Sequence, residues 1–351
     1  MDTPRYIDAL TGARLPSPPD GALCIGDEGA GEFLVGPALF DPQVNGFAGV
    51  DFMNPHLSFD DLERATLELR KTGCFHYLLT LITASPEFLE TQFKKTKTYI
   101  DNSPLLRESI LGFHLEGPFL SSEAGYIGAH PPQHTCDPDW DIFQRLQEAA
   151  GSMIRLVTLA PERSGSADFI RRAVSENITV SLGHTDAGMD DLQRAIEAGA
   201  SLFTHLGNGC PAQMHRHDNI IQRVLSLPEL MVSIIPDGIH VPPWVMKSWV
   251  NFLGADRVVF TTDAMSAAGA PPGRYTLGAV EVEVGEDRVV RLPGTNNFAG
   301  SSLTPVEGLQ NATNFAGLPP ASAWKTWTRL RDEVFGEVKT AMIAIESRVG
   351  S

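Results

Sequence analysis

Eight short apolar, β-branched runs alternate with amphipathic helical stretches between residues 38 and 263. They are Ala38–Asn45, Cys74–Ile82, Ile110–Glu116, Met153–Ala160, Thr179–His184, Ser201–His205, Met231–Asp237 and Arg257–Asp263. Runs such as MIRLVTLA, MVSIIPD and RVVFTTD have the pattern of parallel strands covered on both faces. Between the first two runs, Phe59, Leu62, Thr66 and Leu69 fall on one helical face, with Ser58 placed as N-cap and Gly73 just past the end. A second helix is expected from Asp190-Asp191-Leu192 through Ala198, closed by Gly199. Eight strand–helix units predict an α/β fold, a closed (β/α)8 TIM-like barrel rather than an open doubly wound sheet.

In such a barrel, chemistry gathers at the C-terminal ends of the strands. The third run ends in Glu116, the fifth in His184, the sixth in His205 and the eighth in Asp263, while His240 follows the Asp237 that ends the seventh. A single histidine at a strand end is more often a hydrogen-bonded core residue. Three separate strands aimed at one mouth reverse that weighting for Glu116, His184 and His205. Two imidazoles and a carboxylate suit one divalent cation, zinc first, with iron, cobalt or nickel served by the same donors. Asp263, which taken alone reads as a helix N-cap, is placed as general base and then acid. His240 is placed to polarise a carbonyl. His114 shares the strand face of Glu116 and reads as a supporting core residue. His56, His76 and His134 carry no such signal.

Composition narrows the partners. The 351 residues carry a formal net charge of −16, which argues against a nucleic-acid or anionic-membrane surface. No apolar run approaches the ~20 residues of a membrane helix. Met1–Leu10 lacks an apolar signal core. Four cysteines without CxxC spacing point to a reducing, cytoplasmic setting. Outside the barrel (residues 38–273), residues 1–37 suggest short strands and turns of a small β domain. Residues 274–298 alternate as a β-hairpin. Residues 299–351 read as the last barrel helix and a tail.

Nine segments carry a more specific signal: DPQVNG at 41–46, GFHLEGPF at 112–119, GAHPP at 128–132, TLAPE at 158–162, SLGHTDA at 181–187, THLGNG at 204–209, PDGIHV at 236–241, TTDAM at 261–265 and AGSSLT at 299–304. In this order and spacing the chain resembles the N-acetylglucosamine-6-phosphate deacetylases of the amidohydrolase superfamily. The resemblance implies a metal-dependent hydrolase that removes acetyl from an N-acetylated amino-sugar 6-phosphate. It implies a metal on Glu116, His184 and His205, a base at Asp263 and a carbonyl-polarising His240. It also implies that His130 contacts the sugar, and that Asn208 and Gly209 meet the phosphate. Arg216 falls near the family's phosphate-binding arginine, which crosses a homodimer interface. Many amidohydrolases have His-x-His where this chain has Gln43 and Asn45. Neutral amides are poor zinc ligands, so a single metal is expected.

Three departures bear on substrate and assembly. Gly207 and Gly209 remove side-chain bulk, so a roomier pocket or looser loop is expected. The following HRHDN run adds two imidazoles near the phosphate end. The tail, TRLRDEVFGEVKTAMIAIESRVGS, reads as helix or irregular structure without closing strands, and with the short N-terminal flank this predicts a truncated β-sandwich domain. Two alternatives stay open: an amidohydrolase acting on a different or unphosphorylated N-acyl substrate, and a degenerate non-catalytic relative.

Overall fold

The structure is a computed structural model and describes residues 4–26, 31–294, 298–336 and 338–347. All eight apolar runs form strands of one parallel sheet, ordered by sequence. They are β1 (Leu39–Val44), β2 (Cys74–Ile82), β3 (Ile110–Glu116), β4 (Ile154–Leu159), β5 (Thr179–Leu182), β6 (Leu202–Phe203), β7 (Met231–Ile234) and β8 (Val258–Phe260). A parallel bridge between Val44 and Ala264 brings the first and last strands together, so the sheet curls into the expected barrel. The first helix spans Phe59–Lys71, and the Ser58 side chain accepts the Asp61 N–H. Leu62, Ala65, Thr66 and Leu69 are its buried face. Gly73 follows with φ 83°, a conformation that costs glycine little. The Met189–Glu197 helix likewise ends before Gly199, at φ 110°.

Buried polar clasps hold the barrel mouth together. The Asp41 carboxylate on β1 accepts hydrogen bonds from the Thr261 hydroxyl (2.7 Å), the Thr262 hydroxyl (2.5 Å) and the Thr262 N–H (3.1 Å). It thereby ties the start of the barrel to the segment just before Asp263. Burial pushes the Asp41 carboxyl up to about 6, against those hydrogen bonds.

The small domain corrects the reading of the tail. Met342–Glu346 is a strand, lying between Glu32–Pro37 (antiparallel) and Leu23–Ile25 (parallel) in a five-stranded sheet. A short apolar run such as MIAIE does not declare helix or strand by periodicity alone. Its β-branched pairing with the N-terminal flank decides the matter, and the tail therefore does close the sheet. Trp324 locks this sheet to the barrel, since its ring fills the space beside Gly36 and its indole N–H donates to the Pro37 carbonyl at 2.7 Å.

Residues 273–291 form three antiparallel strands, Gly273–Leu277, Val280–Val284 and Val290–Arg291. Asp51 pins the first turn, accepting from the Thr276 hydroxyl at 3.0 Å and the Gly278 N–H at 2.9 Å. Burial raises its carboxyl to about 6, against those hydrogen bonds. The native state therefore keeps a proton that the unfolded chain has released. Below about pH 4 this makes no difference. Between about pH 4 and 6 stability falls as pH rises, by up to about 3 kcal/mol for Asp51, and above that the cost is constant. Asp51→Asn is expected to lose this slope, read as the difference in unfolding free energy between wild type and variant across that range. An opposite slope would contradict the assignment.

Candidate active site

Glu116, at the end of β3, is the hub. Its Oε1 lies 2.9 Å from His205 Nε2 and 3.5 Å from His184 Nε2, and its Oε2 lies 3.8 Å from His130 Nε2. All four side chains are buried, and they line one cavity together with Asn45, Asn208, Gly209 and Asp263. The ligand atoms of Glu116, His130 and His184 fall within 4.8 Å of one another. Burial favours the neutral form of Glu116, but its imidazole neighbours, His205 nearest at 2.9 Å, outweigh it and hold the carboxyl well below its usual range.

The backbone around this cavity is unusual. Seven non-glycine residues among those described have positive φ, and three of them are His184 (52°), His205 (31°) and Asp263 (50°). Such conformations are uncommon and persist only where the surroundings enforce them. Here the enforcement is visible. The His184 carbonyl accepts the Ser121 N–H, the His205 N–H donates to the Ser233 hydroxyl at 2.7 Å, and the Asp263 carbonyl accepts the Ser301 N–H at 2.9 Å. Each strand thus turns sharply at its end and aims a side chain inward.

Hydrogen bonding constrains where the ring protons sit. His184 Nδ1–H donates to the Tyr126 carbonyl at 2.8 Å. A neutral ring therefore presents a bare Nε2 lone pair to the Glu116 oxygen, and two electron-rich atoms 3.5 Å apart repel unless a cation lies between them. His205 Nδ1, buried, has no hydrogen-bond partner. This donor set, one carboxylate and imidazole nitrogens, fits a divalent metal. His130 differs. Its Nδ1 faces Thr83, 2.9 Å from the hydroxyl and 3.4 Å from the N–H that donates to it. Burial pushes His130 down to about 3, so the ring is neutral; accepting the Thr83 N–H leaves its proton on Nε2, whereas a Thr83 hydroxyl turned to the Glu116 carbonyl 3.4 Å away calls for the other tautomer.

Asp263 Oδ1 accepts from Asn45 Nδ2 at 2.8 Å. Burial raises its carboxyl to about 8, with the negative charge of Glu116 adding to the shift and His205 opposing it. Gln43 is buried, with Nε2 unpartnered, and does not line the cavity. His240 Nδ1 is 2.5 Å from Asp237 Oδ2, and its Nε2 is buried without a partner. It lines an adjoining cavity that shares Gly128, Asn208, Gly209 and Phe298 with the first.

Two expectations change. Gly207 and Gly209 do not make the loop roomy. A Cβ at Gly209 would lie 2.7 Å from the His184 ring and one at Gly207 2.8 Å from Trp249, both with positive φ. These glycines are required for close packing. The HRHDN imidazoles are exposed, and His215 Nδ1 accepts the Asp218 N–H at 2.9 Å, which folds the loop on itself. Arg216 is exposed, lines neither cavity and makes no hydrogen bond or ion pair within the described residues. Sequence reasoning missed Thr83 and the Tyr126 carbonyl. It also gave no role to Asp237, although an acid three residues before His240 at a strand end could have suggested one.

No protein-family model matches the chain. It is 32% identical over 317 residues to the N-acetylglucosamine-6-phosphate deacetylase of Bacillus subtilis, covering 90% of this chain and 76% of that protein. It is also 32% identical over 290 residues to an N-acetylgalactosamine-6-phosphate deacetylase of Escherichia coli O157:H7, covering 83% of this chain and 75% of that one. Its fold is similar to that of a mutant N-acetyl-D-glucosamine-6-phosphate deacetylase from Mycobacterium smegmatis, solved with N-acetyl-D-glucosamine-6-phosphate. The TM-score is 0.83 at 27% identity, over 98% of this chain and 94% of the other. With its barrel, its buried carboxylate–imidazole centre and these relatives, the chain belongs to the N-acetylglucosamine-6-phosphate deacetylase family.

Proposed function

We propose that this protein hydrolyses the acetamide of N-acetylglucosamine-6-phosphate, giving glucosamine-6-phosphate and acetate in the cytoplasm, with one divalent cation, zinc first, held by Glu116, His184 and His205. The observation that carries the reading is the bare His184 nitrogen facing an anionic Glu116 in the cavity that His205 and Asp263 also line. His130, with its proton on Nε2, serves as a donor to the sugar rather than as a ligand.

When bound, a divalent cation supplies Lewis acidity that acidifies a water and polarises the acetyl carbonyl. Asp263 takes the proton of the attacking water as the C–O bond forms. It then delivers that proton to nitrogen as the C–N bond breaks. Asn45 orients the carboxylate for both transfers. Asp237 fixes the His240 ring through Nδ1, which leaves Nε2 to face the developing oxyanion as a donor. Asn208 and Gly209 border both cavities and are placed to receive the phosphate end.

Arg216 is assigned to a partner copy's phosphate, across a homodimer interface. Its exposure without a local partner supports this. The test is acetate release from N-acetylglucosamine and N-acetylgalactosamine, each with and without 6-phosphate. The phosphorylated glucosamine derivative is expected to be preferred, and indifference to phosphate would overturn the reading. Arg216→Met is expected to lose about 10²-fold in kcat/KM on phosphorylated substrates alone, the scale of a lost charged contact. Mixing Arg216→Met with Asp263→Asn copies should restore activity, because a mixed dimer contains one intact site. No restoration would place Arg216 outside a shared site.

A further inference from the structure

The catalytic cavity has two neighbours of opposite chemistry. On one side lies the polar cavity bordered by Asn208, Gly209 and His240. On the other lies a cavity of about 460 Å³ that shares Ile82, Ala129 and Leu277 with the catalytic one. The two neighbours have no lining residue in common. The second is predominantly apolar, walled by Met53, Phe88 and Val280, and no Lys, Arg, Asp or Glu lines it. Its outer wall is the Gly273–Leu277 and Val280–Val284 hairpin, whose turn Asp51 holds.

Amide geometry says what such a cavity would receive. A planar trans amide puts its acyl substituent and its nitrogen substituent at opposite ends. With the sugar phosphate directed to the polar side, the acyl chain leaves the reacting carbon toward Ile82 and Leu277.

We infer that the apolar cavity is an acyl-chain subsite, and that the enzyme hydrolyses N-acyl glucosamine 6-phosphates whose chains run well beyond acetyl. The chemistry is unchanged: water adds to the carbonyl, the C–N bond breaks, and a fatty carboxylate replaces acetate. An acetyl methyl stops at the Ile82–Leu277 partition, and a longer chain passes it and becomes buried among Met53, Phe88 and Val280. The inference rests on the deacetylase reading.

The experiment is steady-state kinetics with N-acetyl-, N-butyryl- and N-hexanoylglucosamine 6-phosphate. KM is expected to fall by about fourfold per buried methylene, with kcat within about tenfold of the acetyl substrate. Val280→Asp should abolish that gain and leave acetyl hydrolysis unchanged. Ala279→Asp, on the exposed turn, repeats the test if the first variant folds poorly. Acetyl turnover with KM flat or rising along the series, or a gain untouched in both variants, overturns the acyl subsite and leaves the deacetylase reading intact. Failure to hydrolyse even the acetyl compound overturns both.

Discussion

Asp263→Asn is expected to lower kcat by about 10²- to 10⁴-fold, the range for losing a positioned proton carrier, while leaving cation content and KM nearly unchanged. The substitution is isosteric, and the amide oxygen can still accept from Asn45 Nδ2. What disappears is the capacity to take a proton from water and return it to nitrogen. Burial and the nearby Glu116 charge push the Asp263 carboxyl up to about 8, which makes it a stronger base than an exposed aspartate. A cation in the same cavity favours the ionised form and opposes both effects. Steady-state kinetics with metal analysis of the same samples checks the prediction. A loss of cation along with kcat would show that Asp263 is a ligand instead.

Glu116→Gln is expected to remove both cation and turnover. The carboxylate is the sole charged donor among the three proposed ligands, and a neutral amide binds zinc poorly. The variant should still fold, because Gln can retain the 2.9 Å contact to His205 Nε2 by accepting from it. Metal content is expected to fall from about one equivalent per chain to about none, with kcat down by at least about 10⁴-fold. Circular dichroism would establish that the fold persists. Full metal content in the variant would remove Glu116 from the ligand set.

Much of this is legible in the sequence because the physics is local or periodic. Ser58 and Gly73 mark the ends of one helix through capping and a left-handed backbone. The eight apolar runs announce buried parallel strands. The residues ending those strands announce the site, since a barrel brings its strand ends together whatever their separation along the chain. Other features depend on tertiary contact. The Tyr126 carbonyl that sets the His184 tautomer is a backbone atom and leaves no residue-type signal. The Thr83 pairing that sets His130 apart from the proposed imidazole ligands joins positions 47 residues apart. Gly209 looks like an opening in the sequence, and only the proximity of the His184 ring shows that it is a close fit. The strand at Met342–Glu346 forms because two partners from the far end of the chain receive it.

The proposed centre is defined by which imidazoles share the cation with Glu116, and His205 and His130 are the two in dispute. Metal analysis of purified His205→Ala and His130→Ala proteins, side by side after zinc supplementation, addresses this directly. The account predicts that His205→Ala loses the cation and that His130→Ala keeps about one equivalent while binding the sugar more weakly. A His130→Ala protein without metal, beside a fully loaded His205→Ala protein, would contradict it.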